Sequence, residues 1–415
     1  MKIVHLSTSD HGGAGLACLT LHKALRSSGV DSKMLVLERK GEDEEVYLFE
    51  HGSDRGLPPW SWIFPYIDLT AKKIGIPISR SRYYARRIAR LQGPGRPVLF
   101  TAPFTEYDVT EHALVRDADI VHLHWVAGFL DYPSFFPRVK RPVLWTIRDE
   151  YPFLGGFHYR GEKERANGRF DAIEKNFFDV KRRSVALSPD LTIVSLSQKM
   201  MEPTQKSGMF AGRRHHLVHN PVDPVVFRLH DRIRSREILG LPREAKIILF
   251  VAQDIREPRK GLRELLQALS VLSRPDILLC VVGADRSGET LPVAHRSMGL
   301  VRDERLMSVV YSAADVHVMP SSEESFGKTM TESLACGTPV VAFSSGIAPE
   351  LIDGRNGILI SAMTVDALAE GVKKALLTDF DRERIRNDVV GRFGLEKIVS
   401  QYIDLYRKMS AGERV

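Results

Sequence analysis

The chain has 415 residues, 43% hydrophobic and 27% charged; this excludes a disordered protein and gives length enough for two ordinary domains. Its 59 basic and 52 acidic residues leave a net charge of +7, which favours anionic partners without choosing among nucleic acid, an anionic membrane face and a phosphorylated substrate. Three scattered cysteines, Cys18, Cys280 and Cys336, argue against a disulfide framework or zinc site and for buried thiols in a reducing compartment.

The N-terminus, "MKIVHLSTSD", reads as a strand entering a polar loop, without the apolar run and cleavage site of a signal peptide. No apolar stretch approaches the ~20 residues that span a bilayer, so a cytoplasmic protein is expected. The strand ends in "GGAG", where Gly12, Gly13 and Gly15 sit between the strand and a helix that starts near Ala14 and includes the helical segment Leu16–Ser27. Glycines there permit close backbone approach, and a helix N-terminus offers N–H groups to an anion. A tight turn without a ligand is an equal alternative. The dinucleotide pattern Gly-x-Gly-x-x-Gly is not completed, because Cys18 takes its third position, although Glu38 ends the next strand suitably.

Further strand-like runs are "KMLVLE", "DIVHLHW", "PVLWTI" and "LTIVSLS", then "KIILFVA", "ILLCVVG", "ADVHVMP", "PVVAF" and "GILI". They lack polar alternation, as strands buried on both faces do. Helical segments such as Leu262–Leu272 and Val365–Leu377 separate them, so the fold class is α/β, with two doubly wound parallel sheets. The prolines of "LVHNPVDPVVF" mark the break, giving domains over 1–220 and 221–393. The amphipathic segment within 394–415 could cap the second domain or return to the first.

Two basic and acidic clusters follow second-domain strands. Arg256, Arg259 and Lys260 could hold a diphosphate by charge, or form a solvated loop. In "PSSEESFGKTMTESLACGTPVVAF", a helix is expected to start at Gly327 or Lys328 and stop at Gly337. Glu324 then precedes the helix and Glu332 lies within its first turns, with amides from Phe326 to Thr329 between them. That arrangement suits a sugar nucleotide, whose phosphate meets the helix start and whose hydroxyls meet the carboxylates. An acidic first turn is also ordinary helix stabilisation.

The glutamate-flanked Phe-Gly followed by Ala-x-Gly-x-Pro-Val-Val resembles the donor signature of the retaining GT4 family of GT-B glycosyltransferases. "DIVHLHW", "LWTIRDEYPFLGGFHY", "HNPVD" and "RKG" extend the resemblance over both domains, closest to the colanic-acid and exopolysaccharide branch. The resemblance implies a GT-B fold of two Rossmann-like domains. It implies transfer from an NDP-sugar, UDP- or GDP-linked, to an acceptor hydroxyl with retention. Glu332 would bind the ribose and Glu324 a sugar hydroxyl. Amides at Phe326, Gly327 and Lys328 would hold the sugar, and those at Thr329 and Met330 would lie near the phosphate. Lys260, with Arg256 or Arg259, would neutralise the diphosphate, and Gly13 and Gly15 would approach it from the first domain. His124 matches a histidine that contacts the sugar in relatives. Without the resemblance His124 reads as a core histidine at a strand end. Glu324, His124 and Lys260 are thus the expected catalytic residues, Glu324 as a covalent nucleophile being the minority alternative.

Three departures stand out. Gln253 and Asp254 replace a Gly-Arg pair, Arg148-Asp149 replaces His-Asp, and Ser325 stands where glycine is frequent. No metal-ligand cluster is evident in the sequence, so metal independence, with no cofactor, is expected. Over residues 58–92, Trp60, Trp62, Phe64 and Tyr66 mix with Lys72, Lys73, Arg86, Arg87 and Arg90. This suits an anionic membrane surface and a lipid-linked saccharide acceptor at the membrane's inner face, or a helix with a buried aromatic and a solvated basic side. No nucleic-acid module is recognisable. Alternatives within the fold are a phosphorylase, an epimerase or a non-catalytic nucleotide-sugar-binding subunit.

Overall fold

Strands read from uninterrupted apolar runs form two parallel sheets in the computed structural model, which describes residues 1–50, 79–93, 97–188, 190–285 and 287–411. The first sheet contains β1 (Lys2–Ser9), β2 (Asp31–Glu38), β3 (Val46–Leu48), β4 (Ile120–Leu123), β5 (Val143–Thr146), β6 (Leu191–Ser195) and β7 (Arg214–Leu217). Their spatial order is β3-β2-β1-β4-β5-β6-β7. The second contains β8 (Lys246–Asp254), β9 (Ile277–Ala284), β10 (His295–Ser297), β11 (Val316–Met319), β12 (Val340–Phe343) and β13 (Gly357–Ile360), ordered β10-β9-β8-β11-β12-β13. Each sheet reverses direction of growth beside its first strand, between β1 and β4 and between β8 and β11. In such sheets ligands bind beyond the carboxyl ends of the strands at that point.

Burial explains the sequence pattern. In the second sheet Leu249, Cys280, Val340 and Ala342 enter one apolar cluster. Their neighbours Ile248, Phe250, Leu279, Val281, Val341 and Phe343 enter another. Successive side chains point to opposite faces, and both faces are covered, so neither parity can be polar. The helix Leu262–Leu272 buries Leu262, Leu265, Ala268 and Leu269, a spacing that keeps one stripe against the sheet.

The first sheet differs on one face. His5 on β1 is in register with His122 on β4, and both are fully buried with His124, His22 and Cys18. All three cysteines are buried and free.

Two compact units result: Met1–Val194 with Thr204–His215 and Met409–Val415, and Ser195–Pro203 with His216–Lys408. Among the described residues no helix is long and apolar enough to cross a membrane. Trp60, Trp62, Phe64, Tyr66, Lys72 and Lys73 lie outside the described residues. Arg86, Arg87 and Arg90 lie on the helix Arg80–Leu91, whose N-cap is Ser79.

Candidate functional site

In the second unit, two loops at the carboxyl ends of β8 and β11 meet. After β8 the chain makes a short 3-10 turn over Pro258–Lys260, and Gly261 takes φ 76° before the next helix. A Cβ on Gly261 would lie 2.1 Å from the Pro320 carbonyl oxygen, so only glycine lets this turn sit against the end of β11. The Ser322 amide donates to the Arg259 carbonyl at 2.9 Å and locks the two loops together.

This packing brings Lys260 to Glu324: the ammonium donates to the carboxylate. The Arg259 guanidinium lies 3.9 Å from the other Glu324 oxygen and donates to the Glu323 carbonyl at 3.3 Å. Burial pushes the Glu324 carboxyl up, but the charges of Lys260 and Arg259 outweigh it and hold it below its ordinary value. Burial likewise lowers Lys260, with Glu324 opposing. In direct contact, each of the two groups favours the charged form of the other. Arg256 is directed elsewhere, to Asp285 at 3.0 Å and the Glu289 carbonyl at 2.8 Å.

The helix after β11 runs Lys328–Ala335, with Gly327 at φ 91° as its N-cap, where the sequence placed it. Phe326 and Met330 are buried, and the Met330 amide donates to the Gly327 carbonyl at 2.9 Å. Thr329 directs its hydroxyl to the Met319 sulfur at 3.6 Å. The Ser325 carbonyl accepts from Ser197 at 3.1 Å, and the Phe326 carbonyl from the Ile347 amide at 2.9 Å. The loop is thus braced from two sides, and its side chains are largely used in packing.

Glu332 is held on both oxygens. The Tyr311 hydroxyl donates to one at 2.9 Å, and the Lys328 ammonium lies 3.0 Å from the other. Lys328 also reaches Glu304 at 3.2 Å. Burial raises the Glu332 carboxyl against the pull of Lys328. For Lys328, burial is outweighed by the two carboxylates, which raise it. Tyr311 and Glu304 carry no sequence signal of their own. They belong to the helix Glu304–Ala313 and are found only by its packing beside Lys328–Ala335.

In the first unit the glycine loop divides by role. The helix begins at Gly12, two residues before the start near Ala14 read from the sequence, and Gly12 has φ 69°. A Cβ on Gly15 would lie 2.6 Å from the Ser9 carbonyl, so Gly15 permits helix-on-strand packing. A Cβ on Gly13 would meet nothing within 4 Å. Gly13 is the exposed member of the set.

His124 follows β4 and has no exposed surface. Its Nε2 lies 2.8 Å from His5 Nδ1, and its Nδ1 lies 2.9 Å from Arg148 Nη2. His122 pairs with Thr146 and His22 with Ser32, both at 2.8 Å. Burial drives His5, His122 and His124 well below the ordinary imidazole value. Donor atoms of His5, Cys18 and His124 lie within 4.8 Å of one another. The sequence could not show this convergence, since the residues come from three separate elements. Asp149 accepts from Trp125 Nε1 at 2.7 Å and pairs with His158 Nδ1 at 2.6 Å. Below them Lys181 is buried with its ammonium on the carbonyls of Tyr151, Leu154 (3.0 Å) and Gly155 (3.1 Å). Burial pushes it down to about 7, yet three carbonyl acceptors engage all three ammonium protons and favour the charged form.

Comparison with known proteins gives this geometry a family. Residues 231–392 match the model of the glycosyl transferases group 1. D-inositol 3-phosphate glycosyltransferase 2 of Catenulispora acidiphila is 26% identical, with 97% of this chain and 91% of that protein covered. D-inositol 3-phosphate glycosyltransferase of a Nocardioides species is 31% identical over 78% of this chain and 74% of its own length. Among solved structures, the sucrose-phosphate synthase of Thermosynechococcus elongatus superposes with TM-score 0.68 at 18% identity, each chain covered in full. Anabaena Alr3699/HepE, solved with UDP and glucose, gives TM-score 0.64 at 17% identity, with 98% of this chain and 100% of that one covered. The chain belongs to the glycosyl transferases group 1, and its two parallel-sheet units form the Rossmann-like pair of a GT-B fold.

Proposed function

We propose that the chain is a retaining glycosyltransferase that takes a sugar from a UDP- or GDP-sugar and delivers it to the hydroxyl of a saccharide or lipid-linked saccharide acceptor. The observation that carries the reading is the convergence of Lys260 and Arg259 on Glu324, at a loop that leads straight into the helix bearing Glu332. Departure of a nucleoside diphosphate builds negative charge, and Lys260, Arg259 and the helix start at Lys328 are the groups to meet it. Arg259 is favoured over Arg256 as the diphosphate arginine, because Arg256 is committed to Asp285 and Glu289. Glu324 then exchanges its ion pair for a sugar hydroxyl, and Glu332, already oriented by Tyr311, takes the ribose. The charge of the leaving group is met without a metal, so activity in the presence of a chelator is expected.

The colanic-acid and exopolysaccharide branch supplies the acceptor class of this reading, in surface polysaccharide synthesis. A second acceptor reading has its own support: relatives at 26% and 31% identity are named for inositol 3-phosphate, so a phosphorylated polyol belongs in any acceptor panel. The test is a thermal-shift screen of nucleotides and NDP-sugars, followed by transfer assays with the donor that binds. A bound ligand raises the unfolding midpoint by mass action. Glu332→Ala should abolish the shift in a protein that still folds, with a lowered unliganded midpoint because Tyr311 and Lys328 lose their acceptor. An unchanged UDP and GDP response in that variant sinks the assignment of Glu332 to the nucleotide.

A further inference from the structure

We propose that Arg148 is a positioning residue that fixes His124, and through it His5, as neutral imidazoles of a single tautomer, so that this pair takes no proton and offers no ring nitrogen to the sugar. The inference rests on the transfer reading above and revises the sugar-contact role that the resemblance gives His124.

A guanidinium only donates. Arg148 places Nη2 at 2.9 Å and Nε at 3.3 Å from His124 Nδ1, so that nitrogen must carry its lone pair. The proton of neutral His124 then sits on Nε2, which donates to His5 Nδ1 at 2.8 Å. His5 in turn carries its proton on Nε2, a buried nitrogen with no hydrogen-bond partner among the described residues. The chain of donors thus runs from Arg148 through His124 to His5 in one direction. Reversing it would set a second N–H against the guanidinium.

The surroundings add to this. The groups facing the pair are His122 on β4, His22 and Cys18 on the helix Gly12–Ser27, and Arg148 beyond β5. None of these is an acid, and Arg148 places a positive charge beside the pair, so a charge on either imidazole would add to it. His122 is occupied by Thr146 and His22 by Ser32. The same arrangement disfavours a cation at His5, Cys18 and His124, because the Nε2 of His124 is engaged and a fixed charge stands beside it.

The test is long-range proton–nitrogen correlation on the full chain with nitrogen-15 histidine, from pH 8 to pH 5.5. His124 is expected to show an unprotonated, pyridine-type Nδ1 and a protonated Nε2, unchanged over the range. Arg148→Lys, still a donor, should keep that pattern; Arg148→Met should lose it. A protonated Nδ1 in the wild type, titration of His124 within the range, or an unaltered pattern in Arg148→Met overturns the proposal. If Arg148→Met does not fold, the wild-type spectrum and Arg148→Lys still decide. This arm needs no substrate, so its failure is separate from failure of the transfer reading. In the kinetic arm, the pH profile of kcat/KM should carry no limb belonging to His124. A limb that disappears in His124→Asn contradicts the proposal.

Discussion

Two buried clusters, one in each unit, handle their ionisable groups in opposite ways. Beneath the helix Gly12–Ser27, four imidazoles are neutral and bonded to one another, to hydroxyls or to Arg148. At the loops after β8 and β11, Glu324 and Glu332 are matched by cations and a phenol. A neutral hydrogen-bonded layer is a piece of core that resists charging. A carboxylate held by a lysine at a loop end is a contact that an incoming diphosphate or hydroxyl can replace with one of similar strength. The difference separates residues that build the scaffold from residues that can exchange partners.

Acid titration should expose this contrast most strongly. His5, His122 and His124 are held well below the unfolded value of 6.5, and His22 at about 4. Unfolded imidazoles bind protons below that value while folded ones do not, so stability is lost as pH falls through 6.5 and continues to fall towards 4. Each excluded proton steepens the loss by about 1.4 kcal/mol per pH unit. In the second unit Glu324 is lowered and Glu332 raised, so their contributions oppose, and buried His317, at about 3, adds the loss of a single imidazole. All four tryptophans, Trp60, Trp62, Trp125 and Trp145, fall in the first unit, and urea unfolding followed by fluorescence therefore reads that unit. A midpoint that does not move between pH 7 and pH 5 contradicts the neutral layer.

Next in size is the exchangeable pair. Lys260→Ala and Glu324→Gln should each lower kcat/KM by about two orders of magnitude, the scale of one lost charge-stabilising group. Release of nucleoside diphosphate is the assay. Rates within a few-fold of wild type would place the reaction elsewhere.

Smaller effects sharpen the comparison within each unit. Gly15→Ala should destabilise by about 1–3 kcal/mol through the clash with the Ser9 carbonyl, whereas Gly13→Ala should stay within about 0.5 kcal/mol. Equal midpoints for the two in thermal melts would contradict the division of roles in that loop. Tyr311→Phe removes one hydrogen bond to Glu332 and should weaken nucleotide binding about fivefold, near 1 kcal/mol. Calorimetric titration with the nucleotide found by screening would measure it.

The long apolar strands and the helices Leu262–Leu272 and Val365–Leu377 were legible because both faces of each sheet are covered and the helices each bury one stripe. The strands Val46–Leu48, Arg214–Leu217 and His295–Ser297 were not. Each sits at a sheet edge; Arg214–Leu217 and His295–Ser297 carry polar, half-buried or exposed side chains that resemble loop, and Val46–Leu48 spans only three residues. At the site, the two glutamates and the basic run could be read because strand, loop and helix start lie within one stretch of chain. Tyr311 and Glu304 act from another helix, and the join between Arg148, His124 and His5 links the middle of β1 with the residues after β4 and β5. Only the sheet order brings those together.

The segment Ser195–Pro203 belongs to the second unit although the residues on either side, through Val194 and from Thr204, belong to the first. Within that segment Ser197 supports the Ser325 carbonyl, the Gln198 amide donates to Glu350 at 2.7 Å, and Lys199 reaches the Ser344 carbonyl. A single cut therefore cannot separate the units cleanly. A fragment starting after His215 would lose the three tethers to Ser325, Ser344 and Glu350, and one ending there would carry those nine residues without these partners. Shuffling halves between relatives would have to transplant this stretch together with the distant loops it grips.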